Sequence, residues 1–181
     1  MTRVVWSAAL TATGLMAGIM AGGVLTARAM LGQPAAVYAA VARPTHQTFA
    51  LPMTAVALVA IAATATLLTM LWRRRPRRVA ATAVALLCLL GAIAATLVVN
   101  VPINGQMIHE WPGRIPADWA QVRDRWNTWH VVRAALSIIA LGCLAAARAP
   151  RFRAPRSSTA IDADAADDAD AADDADARRA G

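Results

Sequence analysis

The chain has 181 residues, of which 58% are hydrophobic, and a mean hydropathy of +0.46. A soluble domain of this length is nearer half apolar, so the composition indicates an integral membrane protein. The net charge of +7 comes from arginine, because no lysine occurs. Most of these arginines lie at the edges of apolar runs, where they orient membrane helices. The charge therefore does not indicate a protein that binds nucleic acid.

Four apolar runs follow one another along the chain. Crossing the hydrocarbon core takes about 20 mostly apolar residues, and backbone groups in lipid must bond internally, so each run predicts a helix. The predicted fold class is all-α, an integral membrane four-helix bundle within a domain over residues 1–150. The spans are predicted at about 4–26, 51–72, 79–101 and 131–147, with an external loop and helix at 102–130.

The arginines also predict the orientation of the bundle. They cluster at 73–78, at 148–156 and at Arg3. Because positive residues stay cytoplasmic, both termini are predicted inside the cell, and the loops around 27–50 and 102–130 are predicted to face outward. We therefore expect a multi-pass protein of the cell membrane. A cleaved signal peptide is the alternative for the first run, which is too long for an ordinary one.

Two further segments have distinct sequence patterns. Gly14, Gly18 and Gly22 recur every four residues on one helix face, where small residues let two helices approach closely. The partner is either another span of the same chain or a second copy in a homo-oligomer. Residues 151–181 are first basic and then rich in Asp and Ala, so they predict a disordered tail with an acidic C-terminal part.

Polar residues gather where the third span ends. Asn100 and Asn104 are four residues apart and share a helix face, and Pro102 between them lacks an N–H to donate. A capped helix end would explain Asn104. It explains Asn100 less well, because a buried amide needs partners.

The fourth span has a polar extension before it. Asp118 and Gln121 predict a capping box at the start of that helix. Trp at this depth is usually an interfacial anchor, but an anchor needs neither histidine nor arginine. Arg133 lies inside the apolar run, where a charge is expensive unless it is paired, wetted or snorkels to the surface. One helix stripe carries Trp119, Val122, Trp126, His130 and Arg133.

The three histidines are predicted on the outer side of the membrane. Histidine is the side chain best suited to moving protons near neutral pH. The spacings of His46, His109 and His130 match no metal-ligand motif, and Cys88 and Cys143 fit small packing residues. We therefore predict no metal and no cofactor, and we expect His109 to be ordinary surface.

These motifs resemble the DUF1772, or anthrone oxygenase-like, membrane family. Members of that family have four spans, an N-x-P-x-N at the end of the third, and a W-N-x-x-[HN]-x-x-R entering the fourth. The resemblance covers roughly residues 5–147. It rests on Asn100 to Asn104, Trp111, Trp126-Asn127, His130 and Arg133, and less specifically on Ala17 to Gly22 and His46-Gln47.

The resemblance implies an activity. Named members oxidise anthrones to anthraquinones with molecular oxygen, without an evident cofactor. A base such as His130 or His46 would take a proton from the substrate, and Arg133, Asn100 and Asn104 would stabilise the oxyanion. The hypothesis is a membrane-bound monooxygenase acting on a hydrophobic aromatic compound from the lipid. The alternative is a non-catalytic accessory or small-molecule-binding protein. Flat walls for the substrate would come from Trp119, Trp126 and Trp129.

Overall fold

The computed structural model describes residues 2–72 and 76–149 of the chain. Within these residues the protein is helical, with α1 at Thr2–Ala29, α2 at Ala35–Leu71, α3 at Pro76–Ala95, a π-helical turn at Thr96–Asn100, α4 at Val101–His109 and α5 at Trp119–Arg148. The predicted tail over 151–181 lies outside the described residues, as do the arginines at 73–75. The orientation of the termini remains a prediction.

Four helices are long and apolar enough to cross a membrane: α1, α2, α5, and the continuous helix from Pro76 to His109. The all-helical, multi-pass prediction is confirmed to that extent. Helix α1 packs against α2 and α5, and α3 packs against the same two helices. The four spans therefore form a closed bundle in the order α1, α2, α3, α5.

The interior of the bundle is built from small residues. Alanines with no exposed surface occur on every span, because a side chain of one carbon lets two helices approach closely. Large apolar side chains fill the remaining interior, as Leu67, Leu89 and Leu144 do, or point outward, which is the distribution expected where the surroundings are lipid. The fully buried alanines include Ala9, Ala60, Ala85 and Ala140, and the exposed large residues include Leu15, Leu58, Leu87 and Ile138.

A second core lies at the end of the bundle where α1 ends and α5 begins. We call it the aromatic core, and it buries Tyr38, Ala42, Val99, Ile103, Met107, Trp111 and Trp126. Its presence corrects the prediction for 27–50, which is helical except for residues 30–34. Helix α2 begins at Ala35 and passes through Pro44 and Pro52. A loop was predicted there, but burial of the first turns of α2 against the aromatic core stabilises a helix.

The third span continues beyond the predicted end at residue 101. The backbone N–H of Val101 donates to the carbonyl of Thr96, five residues earlier, which widens the helix into a π turn. Pro102 then occupies the first turn of α4, where its missing N–H costs little. The helix therefore reaches His109 instead of stopping at the proline.

The start of α5 differs from the prediction in one detail. Asp118 occupies the N-cap position, but its side chain makes no capping hydrogen bond, so the capping box with Gln121 does not form. Contacts of the Arg123 side chain stabilise the first turns of α5 instead. Arg123 donates from Nη1 to the carbonyl of Leu31, 3.0 Å away, and its guanidinium lies 4.9 Å from the ring centroid of Trp119.

Candidate functional site

A cavity of about 410 Å³ lies between α1, α2 and α5, next to the aromatic core. Its rim residues on α1 and α2, among them Gly22 and Phe49, are exposed, whereas His130 on α5 is buried. The cavity therefore opens between α1 and α2 on the apolar side of the bundle and ends at α5. Most of its lining is apolar; side chains with polar atoms include Tyr38, His46, Trp126, Asn127 and His130.

Behind this cavity lies a buried arginine. Arg133 is 6% exposed, and no carboxylate in the described part of the chain pairs with it. Its Nη2 lies 2.7 Å from Nδ1 of His130, and its Nη1 donates to Oγ1 of Thr96 at 3.1 Å. The guanidinium thus points into the bundle and does not snorkel to the surface. Its charge is solvated by an imidazole and a hydroxyl instead of an acid.

The contact with Arg133 fixes the state of the His130 ring. A guanidinium has only donors, so Nδ1 of His130 must be the acceptor, and the neutral ring carries its proton on Nε2. That Nε2 is buried and makes no well-formed hydrogen bond. It faces α1, where a Cβ added at Gly23 would lie 2.5 Å away and where the backbone of Met20 is within reach of the ring. The His130 ring therefore lies at the edge of the cavity with its N–H held against α1.

Two other polar side chains of the cavity lining are also unsatisfied. Nε2 of His46 is buried without a partner, and so are both amide atoms of Asn127. The rings of His46 and His130 lie 4.9 Å and 4.7 Å from Trp126, the second pair being stacked. An apolar cavity with a few polar side chains in its lining has the composition of a small-molecule site.

The two predicted asparagines contact α5 and not the cavity. Asn100 donates from Nδ2 to the backbone carbonyl of Trp126 at 3.2 Å, and Asn104 accepts from the Trp126 indole N–H at 2.7 Å. Neither asparagine lines the cavity. Thr96 accepts a hydrogen bond from Arg133. Thr96, Asn100 and Asn104 are each four residues apart and face α5, and we call them the polar row. This polar row holds Trp126 and Arg133 in position.

The π turn keeps the polar row in line. At 100° per residue, residues spaced by four drift by about 40° per step around a regular α-helix. The wider turn at Thr96–Asn100 takes up one more residue and offsets this drift. As a result, Thr96, Asn100 and Asn104 all reach the same neighbouring helix.

The remaining predicted residues lie elsewhere. Trp119 packs on Tyr38 in the aromatic core, with ring centroids 5.9 Å apart, and does not line the cavity. Trp129 is 38% exposed and also lies outside the cavity lining. His109 is exposed at the end of α4. Of the three tryptophans predicted as walls, Trp126 is the one beside the cavity.

Sequence reasoning missed Thr96, Asn127 and Gly23. The spacing of Thr96 from Asn100 repeats that of Asn100 from Asn104, so the row of three was visible in the sequence. Asn127 stands in the motif already quoted, next to Trp126. Gly23 had no such signal, because its role depends on how close α5 lies to α1.

A scan of known families gives one match. The model of a family described as anthrone oxygenase covers residues 46–143, more than half of the chain. The chain belongs to the anthrone oxygenase family. No curated protein and no solved structure matches it.

The part of the chain that matches the anthrone oxygenase family begins at His46. It includes the polar row, Trp126, Asn127, His130 and Arg133. Helix α1, which supplies Gly22 and Gly23 to the cavity, lies before the matched segment. The family match therefore covers the lining residues of α5 and those of α2 from His46 onward, and α1 with the first turns of α2 completes the cavity.

Proposed function

We propose that the protein is a membrane oxygenase of the anthrone type. It would oxidise the methylene carbon of a hydrophobic aromatic ketone to a second ketone with molecular oxygen. The observation that carries this proposal is the apolar cavity whose lining includes the polar side chains of His46, Asn127 and His130. Family membership supports the class of reaction. The apolar opening between α1 and α2 suits a substrate dissolved in lipid.

The geometry supports different roles for the two histidines. Nδ1 of His130 is occupied by Arg133, so this ring offers no lone pair to the cavity and is a hydrogen-bond donor through Nε2. His46 makes no hydrogen bond with Arg133 and has a free Nε2. We therefore assign His46 as the base and His130 as the group that binds the oxyanion.

The proposed reaction starts with a proton transfer. Nε2 of His46 takes one proton from the methylene carbon, and the electron pair of that C–H bond moves to the substrate carbonyl oxygen. The resulting oxyanion accepts a hydrogen bond from the His130 Nε2–H, which Arg133 strengthens through its charge. The substrate ring would contact Trp126, whose face is stacked on His130, along the part of the indole that lines the cavity.

Oxygen then reacts with the electron-rich carbon. Transfer of electrons from the anion to O2 and formation of a C–O bond give a peroxide anion, which takes up the proton held by His46. Loss of the second methylene proton and cleavage of the O–O bond leave the new ketone and water. The sum is one methylene group plus O2 giving one carbonyl group plus H2O, with no other reductant.

The second candidate function is non-catalytic binding of a small aromatic molecule. It is favoured by the polar row, because Asn100 and Asn104 are engaged with Trp126 and act as structural groups. An oxygen-electrode assay separates the two candidates. The purified protein in detergent should consume O2 when given an anthrone, faster than buffer alone, and the His46→Gln variant should not. Binding without oxygen uptake would favour the second candidate.

A further inference from the structure

A permanent positive charge is buried in the middle of the bundle. Arg133 lies halfway along α5, about 22 Å from either end of the helix, and its side chain is 6% exposed. A guanidinium does not release its proton in a protein, so the charge cannot be removed by titration. At this depth such a charge is costly unless an opposite charge or water compensates it.

The acidic side chains of residues 2–72 and 76–149 do not compensate this charge. They are all exposed and lie between the end of α4 and the second turn of α5: Glu110, Asp118 and Asp124. The hydrogen-bond partners of Arg133 are Thr96 and the neutral ring of His130, and neither carries a negative charge. The described interior of the bundle therefore has a net positive charge at this level.

The charge of Arg133 lies behind two rings of the cavity wall. Its Cζ is 5.7 Å from the ring centroid of Trp126, and its Nη2 is 2.7 Å from Nδ1 of His130. Both rings line the cavity, whose lining contains no acidic residue. In surroundings of low dielectric a charge acts over such distances without any contact or hydrogen bond. The electrostatic potential inside the cavity is therefore positive.

We infer that the cavity selects aromatic ligands that carry an ionised hydroxyl group, such as an acidic phenol or a hydroxyquinone, over neutral ligands of the same shape. The charge of Arg133 favours the anion, and Tyr38, Phe49 and Trp126 in the lining favour a ring. The inference rests on the proposed function, since it takes the same cavity as the ligand site. The oxyanion of the proposed reaction forms only during turnover, whereas this preference concerns the ligand bound at rest.

The test compares two quinones that differ in charge and share one ring. The probes are 2-hydroxy-1,4-naphthoquinone, which is ionised at neutral pH, and its neutral methyl ether, 2-methoxy-1,4-naphthoquinone. Binding is measured by quenching of tryptophan fluorescence in a non-ionic detergent at constant concentration. Wild type should bind the ionised probe at least about tenfold more tightly. Decanoate, an anion without a ring, should compete at least about tenfold more weakly than the hydroxyquinone.

Variants of Arg133 test where the preference comes from. In Arg133→Met, the Kd of the ionised probe should rise about tenfold, and that of the ether should change less than about twofold. Arg133→Lys keeps the charge and should keep the preference. Arg148→Met is the matched control, because it removes the same charge from an exposed position at the far end of α5, outside the cavity lining. Neither Kd should change in it.

Several outcomes would overturn the inference. They are equal affinities of the two probes in wild type, equal weakening of both in Arg133→Met, failure of both to bind, and competition by decanoate as tight as that of the hydroxyquinone. If Arg133→Met does not fold, the comparison of the two probes in wild type and in Arg133→Lys decides. Because both probes are already oxidised, selective binding by a protein that takes up no oxygen with an anthrone would count against the oxygenase alone.

Discussion

Arg133 donates to Nδ1 of His130 over 2.7 Å, three residues apart on α5, and this contact decides which ring nitrogen carries the proton. Because the guanidinium lies inside the bundle, its charge strengthens the N–H on the far side of the ring. Arginine therefore acts here through histidine and does not reach the cavity itself.

The first prediction concerns Arg133 as a positioning residue. In Arg133→Met, Nδ1 of His130 loses its donor and the ring no longer prefers one tautomer, so kcat should fall about tenfold or more. ¹⁵N NMR of the imidazole checks the cause: wild type should show protonated Nε2 and unprotonated Nδ1, and the variant a mixture. Arg133→Lys, which keeps a donor, should recover part of the activity. An unchanged tautomer in Arg133→Met would contradict the assignment.

The second prediction is that replacing His46 strongly lowers the activity. His46→Gln removes the base but keeps a polar side chain, and anthrone-dependent oxygen uptake should drop by about 10²–10⁴-fold. His109→Gln is the matched control, since His109 is exposed at the end of α4 and should be silent. Full activity in His46→Gln would show that another group acts as the base.

Gly23 should tolerate no side chain. In Gly23→Ala the new Cβ would lie 2.5 Å from Nε2 of His130, so the ring must move away from its contact with Arg133. We expect a clear loss of kcat with an unchanged helical circular dichroism spectrum. The neighbouring Gly22→Ala has open space around its Cβ and should keep near wild-type kcat. If the two alanine variants behave alike, the steric argument fails.

The polar row should contribute to stability through Trp126. Asn104→Leu leaves the buried indole N–H without an acceptor, which should lower the free energy of unfolding by about 1–3 kcal/mol. Adding Trp126→Phe removes the orphaned donor, so the effect of Asn104→Leu should be smaller in that background. Thermal unfolding in detergent measures both. Strict additivity of the two changes would mean that the 2.7 Å contact contributes little.

The orientation of the bundle remains to be measured. In a background without Cys88 and Cys143, cysteine introduced at Asp118 should react with a membrane-impermeant thiol reagent added to intact cells, and cysteine introduced at Arg77 should react only after lysis. The reason is the cluster of arginines beside Arg77, which favours the cytoplasmic side. The reverse pattern would place both termini outside the cytoplasm.

Hydropathy and arginine positions predicted four spanning helices, because span length and lipid exposure depend on local composition. The predicted start of α2 at residue 51 was wrong: the helix begins at Ala35, because burial of Tyr38 and Ala42 in the aromatic core stabilises its first turns. Tertiary contacts of this kind cannot be read from the segment that makes them.

The candidate site was predicted in part. His46, Trp126 and His130 come together, as their motif suggested, but the pairing of Arg133 with His130 depends on a side-chain direction that spacing leaves open. Asn104 was expected near the substrate and instead accepts from Trp126. Whether an amide faces a cavity or a neighbouring helix is decided by a rotation about the helix axis, which the π turn alters.

The π turn at Thr96–Asn100 already accommodates one extra residue. Deleting one residue within it would let the helix close with regular α-helical bonds, while the helix from Val101 onward would keep nearly its present orientation. The same deletion in the regular part of α3 would rotate everything after it by about 100°, and Asn104 would then face away from Trp126. A lost codon is therefore tolerated at the π turn and harmful one or two turns earlier in the same helix.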